Sequence, residues 1–133
     1  MIVLDASAVV ELLLNTATGQ AVAKRMADPA IGVHVPHLVD VEVVQALRRL
    51  ASLGELTAVE AQTAIDDLRS LDLQRHAHEP LLGRVWELRQ NLSAYDAVYV
   101  ALAEVLDTTV VTCDGRLARA PRAAKRVELI RVN

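Results

Sequence analysis

The chain has 133 residues, of which 53% are hydrophobic, so it is long and apolar enough to form one compact domain spanning residues 1–133. Its formal net charge of −3 gives by itself no reason to expect a nucleic-acid partner. A single cysteine and the lack of a long uncharged apolar stretch exclude a disulfide framework, a signal peptide and a membrane span, so we expect a cytoplasmic protein.

Strands and helices alternate along the chain. Apolar or β-branched runs predict strands at 2–4, 32–35, 73–75, 108–113 and 127–132. Periodic apolar residues predict helices at 6–14, 19–26, 36–54, 57–71, 79–90 and 93–106. Pro36 is expected to open the third helix, and Thr57 and Glu60 have the capping-box spacing at the start of the fourth. The pattern predicts a three-layer α/β/α domain around a central, mostly parallel sheet, with ligands bound at the carboxyl ends of its strands.

Four acids occupy positions where an unpaired charge is costly. Asp5 and Asp114 each follow an apolar strand. Glu42 borders the buried stripe of the third helix, and Asp96 begins a helix that is apolar nearly all round. Each acid has an ordinary explanation by itself, as a helix cap, a first-turn acid or part of a turn. A divalent cation, which prefers carboxylate oxygens, explains all four together.

Basic residues are concentrated near the C-terminus. Five of them, with no acid between, are Arg116, Arg119, Arg122, Lys125 and Arg126. A solvated surface is the ordinary interpretation of such a run. The alternative is a contact with the phosphate backbone of a nucleic acid, for which Arg116 and Arg119 are the candidates nearest to Asp114.

Four motifs point to a known family. They are L-D-A-S at the start, P-H-L-V-D-V-E-V-V-Q-A-L-R-R in the third helix, Y-D-A-V-Y-V-A-L-A-E in the last helix and V-T-C-D-G-R-L after the fourth strand. With these motifs in this order over essentially its whole length, the chain resembles the PIN-domain ribonucleases. At this length it is similar to the VapC toxins of bacterial and archaeal VapBC toxin–antitoxin pairs.

The resemblance assigns roles to individual residues. It implies a catalytic and metal-binding quartet at Asp5, Glu42, Asp96 and Asp114, with Ser7 and Thr112 as supporting hydroxyls. The implied reaction is hydrolysis of RNA with Mg²⁺ or Mn²⁺ as cofactor. The implied partners are the RNA substrate, a small VapB-like antitoxin bound across a groove near the site, and a second copy of the chain in a homodimer.

Two other functions fit the same sequence. Asp5 stands where a phosphatase or phosphotransfer domain places its aspartyl nucleophile, although position 7, where a D-x-D pair has its second acid, is Ser. A non-catalytic module that sequesters RNA or a protein is the second alternative, against which the complete set of acids argues.

The remaining candidate groups point to ordinary structural roles. The four histidines lack helical ligand spacing and are expected in loops or on the surface, which argues against a zinc site. Tyr95 and Tyr99 flank Asp96, and at least one of them is expected to pack the helix.

Overall fold

A computed structural model describes residues 1–121 and 123–132. Its five strands are β1 (Ile2–Leu4), β2 (Val33–Pro36), β3 (Gln74–His76), β4 (Val110–Thr112) and β5 (Val127–Leu129). Its helices are α1 (Ala6–Leu13), α2 (Ala17–Arg25), α3 (Leu38–Ser52), α4 (Ala58–Ser70), α5 (Leu82–Glu87), α6 (Ala94–Val105) and α7 (Gly115–Ala118). Two 3₁₀ turns, Glu79–Leu81 and Ala124–Arg126, precede α5 and β5.

The strands form one parallel sheet in the order β3-β2-β1-β4-β5. β1 lies at the centre of the sheet with β4 beside it, and both strands are fully buried, as expected for strands covered on both faces. Leu4 pairs with Val111, so the chain leaves both strands at the same edge of the sheet. The expected α/β domain with a central parallel sheet is confirmed.

Helices pack against β1, β2, β4 and β5 of this sheet. α6 contacts β1, β2 and β4, which accounts for its nearly continuous apolar sequence. α1 contacts β4, α2 and α3, and α3 also packs on β2. No helix in the described ranges is long and apolar enough to cross a membrane.

Several element boundaries differ from the sequence prediction. The capping box of α4 is confirmed by reciprocal hydrogen bonds between Thr57 and Glu60. α3 begins at Leu38 rather than at Pro36, because Pro36 ends β2 and the His37 amide bonds to the His76 carbonyl on the neighbouring strand. α2 begins earlier than predicted because Thr16 caps it.

The predicted helix at 79–90 is the largest departure. Its first residues form a 3₁₀ turn containing Pro80, and the α-helix ends at Glu87. The predicted strands at 108–113 and 127–132 are also longer than β4 and β5. In each case the pattern of apolar residues extends beyond the residues whose backbones form the hydrogen bonds of the helix or strand.

The prediction that the histidines lie in loops or on the surface is wrong for His34. This residue is in β2 and is buried. Its Nδ1 lies 2.8 Å from Nε2 of His76, which is on β3 two residues beyond the residue that pairs with His34. The two rings therefore share one hydrogen bond across neighbouring strands.

Candidate active site

Asp5 is buried at the exit of β1, with only 6% of its surface exposed. It caps α1, accepting hydrogen bonds at Oδ1 from the Ala8 amide (3.0 Å) and the Ser7 hydroxyl (2.7 Å). Its Oδ2 accepts from the Thr112 hydroxyl. Burial raises the pKa of Asp5, these hydrogen bonds oppose the rise, and the charge of Asp114 adds to it.

Ser7 and Thr112 join the ends of β1 and β4 around this carboxylate. The Cys113 amide donates to the Ser7 hydroxyl (3.0 Å), and the Asp114 amide donates to the Thr112 hydroxyl (2.9 Å). The two hydroxyl oxygens lie 3.2 Å apart. The structure therefore places both hydroxyls where they orient Asp5 and the backbone that leads to Asp114.

Asp114 and Asp96 face each other across the guanidinium of Arg116. Asp114 caps α7, accepting at Oδ1 from the Arg116 amide (2.9 Å). Asp96 is in the first turn of α6, which Ser93 caps. Nη2 of Arg116 lies 3.1 Å from Oδ2 of Asp114, and its Nη1 lies 2.9 Å from Oδ2 of Asp96. One cationic group thus bridges the two acids.

Glu42 is positioned by a contact that the sequence does not reveal. The buried Tyr99 of α6 donates its phenol hydrogen to Oε1 of Glu42 at 2.6 Å. Burial raises the pKa of Glu42, the bond from Tyr99 opposes the rise, and the charges of Asp96 and Asp5 add to it. A buried phenol needs a polar partner, and this requirement is the one signal that marks Tyr99 beforehand.

Asp40 is separate from this group, although it lies only two residues before Glu42. Its two carboxylate oxygens accept from the Arg75 guanidinium of β3, both at 2.9 Å. The two acids therefore serve different purposes: Asp40 joins α3 to the edge of the sheet, and Glu42 faces the other acids.

The four acids suit a divalent cation in chemistry and charge. They supply hard oxygen donors, and burial raises the pKa of Asp5 and Glu42, to which the charges of neighbouring acids add. Within the described residues, however, no three acid, histidine or cysteine side chains form a ready set of metal ligands. Arg116 occupies the space between Asp96 and Asp114, and both oxygens of Asp5 already accept hydrogen bonds.

An open cavity of about 540 Å³ lies beside the acids, between α1 and α3. Asp114 and Ser7 line one end, and Glu42 lies on the α3 wall. Farther along the walls are Glu11 of α1 and Arg49 of α3. The cavity opens onto Glu42 and Asp114 from outside.

Some side chains of the basic segment are already held by ion pairs. Arg116 is ion-paired as described, and Arg126 lies 3.0 Å from Asp107. The guanidinium of Arg119 lies over Gly115, so close that a side chain on that glycine would meet it. Lys125 is exposed, and Arg122 is outside the described residues.

The geometry disfavours Asp5 as a covalent nucleophile. An aspartyl nucleophile needs an accessible oxygen, whereas both oxygens of Asp5 accept hydrogen bonds and the residue is almost fully buried. Cys113 is no better suited, because burial raises the pKa of its thiol to about 12.

Comparison with known proteins identifies the class of this domain. The family model of the PIN domain matches residues 2–123, so the chain belongs to the PIN-domain family. It is similar to ribonuclease VapC9 of Mycobacterium tuberculosis, with 49% identity over 118 residues that cover 89% of each chain. It is also 40% identical to ribonuclease VapC1 of the same organism over 130 residues, 97% of each chain. Within the family, the chain groups with the VapC ribonucleases.

A solved structure shares the fold. It is VapBC2 from Rickettsia felis bound to a DNA fragment from their promoter, with a TM-score of 0.71 and 16% identity over 98% of this chain and all of that one. At that identity the likeness concerns the fold alone.

Proposed function

We propose that this protein is a metal-dependent endoribonuclease and the toxin of a toxin–antitoxin pair. One observation carries the proposal: four acids from β1, α3, α6 and the end of β4 meet at the carboxyl edge of a parallel sheet, next to an open cavity. The VapC ribonucleases named above, similar over nearly the whole chain, support the same activity.

Asp5, Asp96 and Asp114 would hold the divalent cation, with Glu42 beside them. PIN-domain ribonucleases generally depend on a divalent metal, and we propose Mg²⁺ or Mn²⁺ here because both take carboxylate ligands. When bound, the cation supplies charge neutralisation and lowers the pKa of water. For these acids to bind one cation together, Arg116 must leave the space between Asp96 and Asp114.

The side chains of the protein then divide the remaining work. Ser7 and Thr112 keep Asp5 in one orientation, and Tyr99 does the same for Glu42. Glu42, whose pKa is raised by burial, is suited to accept a proton from the attacking water. Water attacks the phosphorus, the bond to O3′ breaks and O3′ takes up a proton from solvent, which leaves a 5′-phosphate and a 3′-hydroxyl.

Arg116 and Arg119 are proposed to contact the RNA backbone next to Asp114. Arg116 becomes available to a phosphate once another cation neutralises Asp96 and Asp114. Aromatic residues make up only 2% of the chain, so recognition by extensive base stacking is not expected.

The proposed partner is a small antitoxin that covers the acidic site with a basic side chain. Such a charge pairs with the carboxylates as Arg116 does in the free chain. The similarity to VapC ribonucleases supports this partner, and we propose a cytoplasmic location and a homodimer with it. Induction of the chain should arrest growth, and co-expression of the small protein encoded beside it should relieve the arrest.

The central test is cleavage of single-stranded RNA with and without metal. Asp5→Asn and Asp96→Asn should each abolish cleavage while the fold remains, because each removes a ligand charge with little change in volume. Asp40→Asn is the matched control, since Asp40 lies on α3 but pairs with Arg75 outside the site. Cleavage that persists in chelator, or in both site variants, refutes the proposal. RNA binding without any cleavage would favour a non-catalytic module instead.

A further inference from the structure

One face of α3 continues from the acids into the cavity. Glu42, Gln45 and Arg49 are spaced three and four residues apart, so they lie on the same side of the helix. All three line the cavity that Asp114 and Ser7 also line. Arg48, the next residue along, is exposed but is not among the lining residues.

The charges of this cavity are distributed unequally. Glu42 and Asp114 lie at one end, and Glu11 on α1 accepts a hydrogen bond from the Thr16 hydroxyl. Among the described residues that line the cavity, Arg49 is the only cation. A polyanion that reaches the acids through this cavity therefore passes Arg49, the one cationic side chain among the described lining residues.

Arg49 also differs from the other arginines near the site. Arg116 is held by Asp96 and Asp114, and Arg75 is held by Asp40. In the described part of the chain, no carboxylate lies within ion-pair distance of Arg49. Its guanidinium can bind a phosphate without first giving up a partner.

We propose that Arg49 binds a backbone phosphate of the RNA strand and that the strand follows the α3 face past Gln45 to the acids. This inference rests on the proposed ribonuclease function and adds the path of the substrate to it. Seven residues at about 1.5 Å of rise place Arg49 roughly 10 Å along the helix from Glu42. At a stacked rise of about 3.4 Å per nucleotide, the phosphate bound by Arg49 is about three nucleotides from the cleaved bond.

Arg49 has an ordinary structural explanation as well. It lies in the last turn of α3, where a cation is stabilised by the helix dipole. That role predicts a change in thermal stability and none in the salt dependence of RNA binding. The two roles are therefore separable by experiment.

The test measures RNA binding in the cleavage-deficient Asp5→Asn chain at fixed Mg²⁺. A short fluorescein-labelled uridine oligoribonucleotide is titrated at several salt concentrations, because a phosphate contact does not depend on base sequence. Arg49→Gln should weaken binding about tenfold, as expected for loss of a charge-assisted hydrogen bond. It should also reduce the slope of log affinity against log salt by about 0.7, the value for one phosphate on a single strand.

Arg48→Gln is the matched control, because it removes the same charge one residue away and outside the cavity. It should leave the slope nearly unchanged, and Arg49→Lys should restore most of it. Equal effects of Arg48→Gln and Arg49→Gln, or no effect of Arg49→Gln, would overturn the proposed path while leaving the ribonuclease function intact. If the Asp5→Asn chain binds no RNA and the wild-type chain cleaves none, both proposals fail together.

Discussion

Replacing Arg116 with Gln should tighten the binding of Mn²⁺ or Mg²⁺ to the free protein. The guanidinium lies between Asp96 and Asp114, with N–O distances of 2.9 and 3.1 Å. A metal that binds both acids must displace it. The variant removes this competitor and leaves the four carboxylates in place.

The expected magnitude follows from the exposure of the pairs. The Arg116 side chain is 66% exposed, and its partners Asp96 and Asp114 are 19% and 34% exposed. Ion pairs of an exposed arginine contribute about 0–1 kcal/mol each, so the two together oppose metal binding by about 1 kcal/mol. That free energy corresponds to an affinity about fivefold higher in Arg116→Gln.

Isothermal titration with MnCl₂ in the absence of RNA measures this difference directly. Arg119→Gln is the control, because it lies in the same segment but over Gly115 rather than between the acids. The advantage of Arg116→Gln should shrink as ionic strength rises, since salt screens exposed pairs. Unchanged or weaker binding by Arg116→Gln, or equal tightening by Arg119→Gln, would refute the view that Arg116 competes with the metal.

Two further predictions follow from hydrogen bonds inside the protein. In the wild-type chain the hydrogen bond from Tyr99 to Glu42 (2.6 Å) lowers the pKa of Glu42, so its loss in Tyr99→Phe should raise that pKa. Tyr99→Phe should therefore lower RNA cleavage about tenfold and move the acidic limb of the pH profile of cleavage to higher pH. Tyr95→Phe, at a position 63% exposed, should do neither. The pKa of His34 is lowered from its ordinary value of 6.5 by burial and by His76, so the folded state binds fewer protons there than the unfolded state. The free energy of unfolding should therefore decrease as pH falls below about 6.5. Urea titrations at several pH values should show a smaller decrease in His34→Gln than in His37→Gln. An equal decrease in the two variants would contradict this account.

The sequence predicts those parts of the site that depend on local patterns. Asp5 and Asp114 are recognisable because each follows a buried strand, and Glu42 because it borders an apolar helix stripe. The order of the strands and the period of the helix are enough to infer that these acids lie at one edge of the sheet. The capping box of α4 is predictable for the same reason, since its hydrogen bonds span three residues.

Contacts between distant elements are not predictable in this way. The bond from Tyr99 to Glu42 joins α6 to α3, and the pair of His34 and His76 joins two neighbouring strands. The ion pair of Arg116 with Asp96 depends on how α7 lies against α6. Such contacts follow from tertiary packing, which local sequence patterns do not encode.

The pairing of β1 with β4 also determines when a growing chain acquires its site. The Thr112 hydroxyl that holds Asp5 is 107 residues away in sequence, so Asp5 lacks this partner until β4 has left the ribosomal tunnel. Contacts of such long sequence separation form late in folding. A nascent chain therefore carries an incomplete cluster of acids until β4 has emerged, and a premature stop codon before β4 yields a fragment that lacks both Thr112 and Asp114.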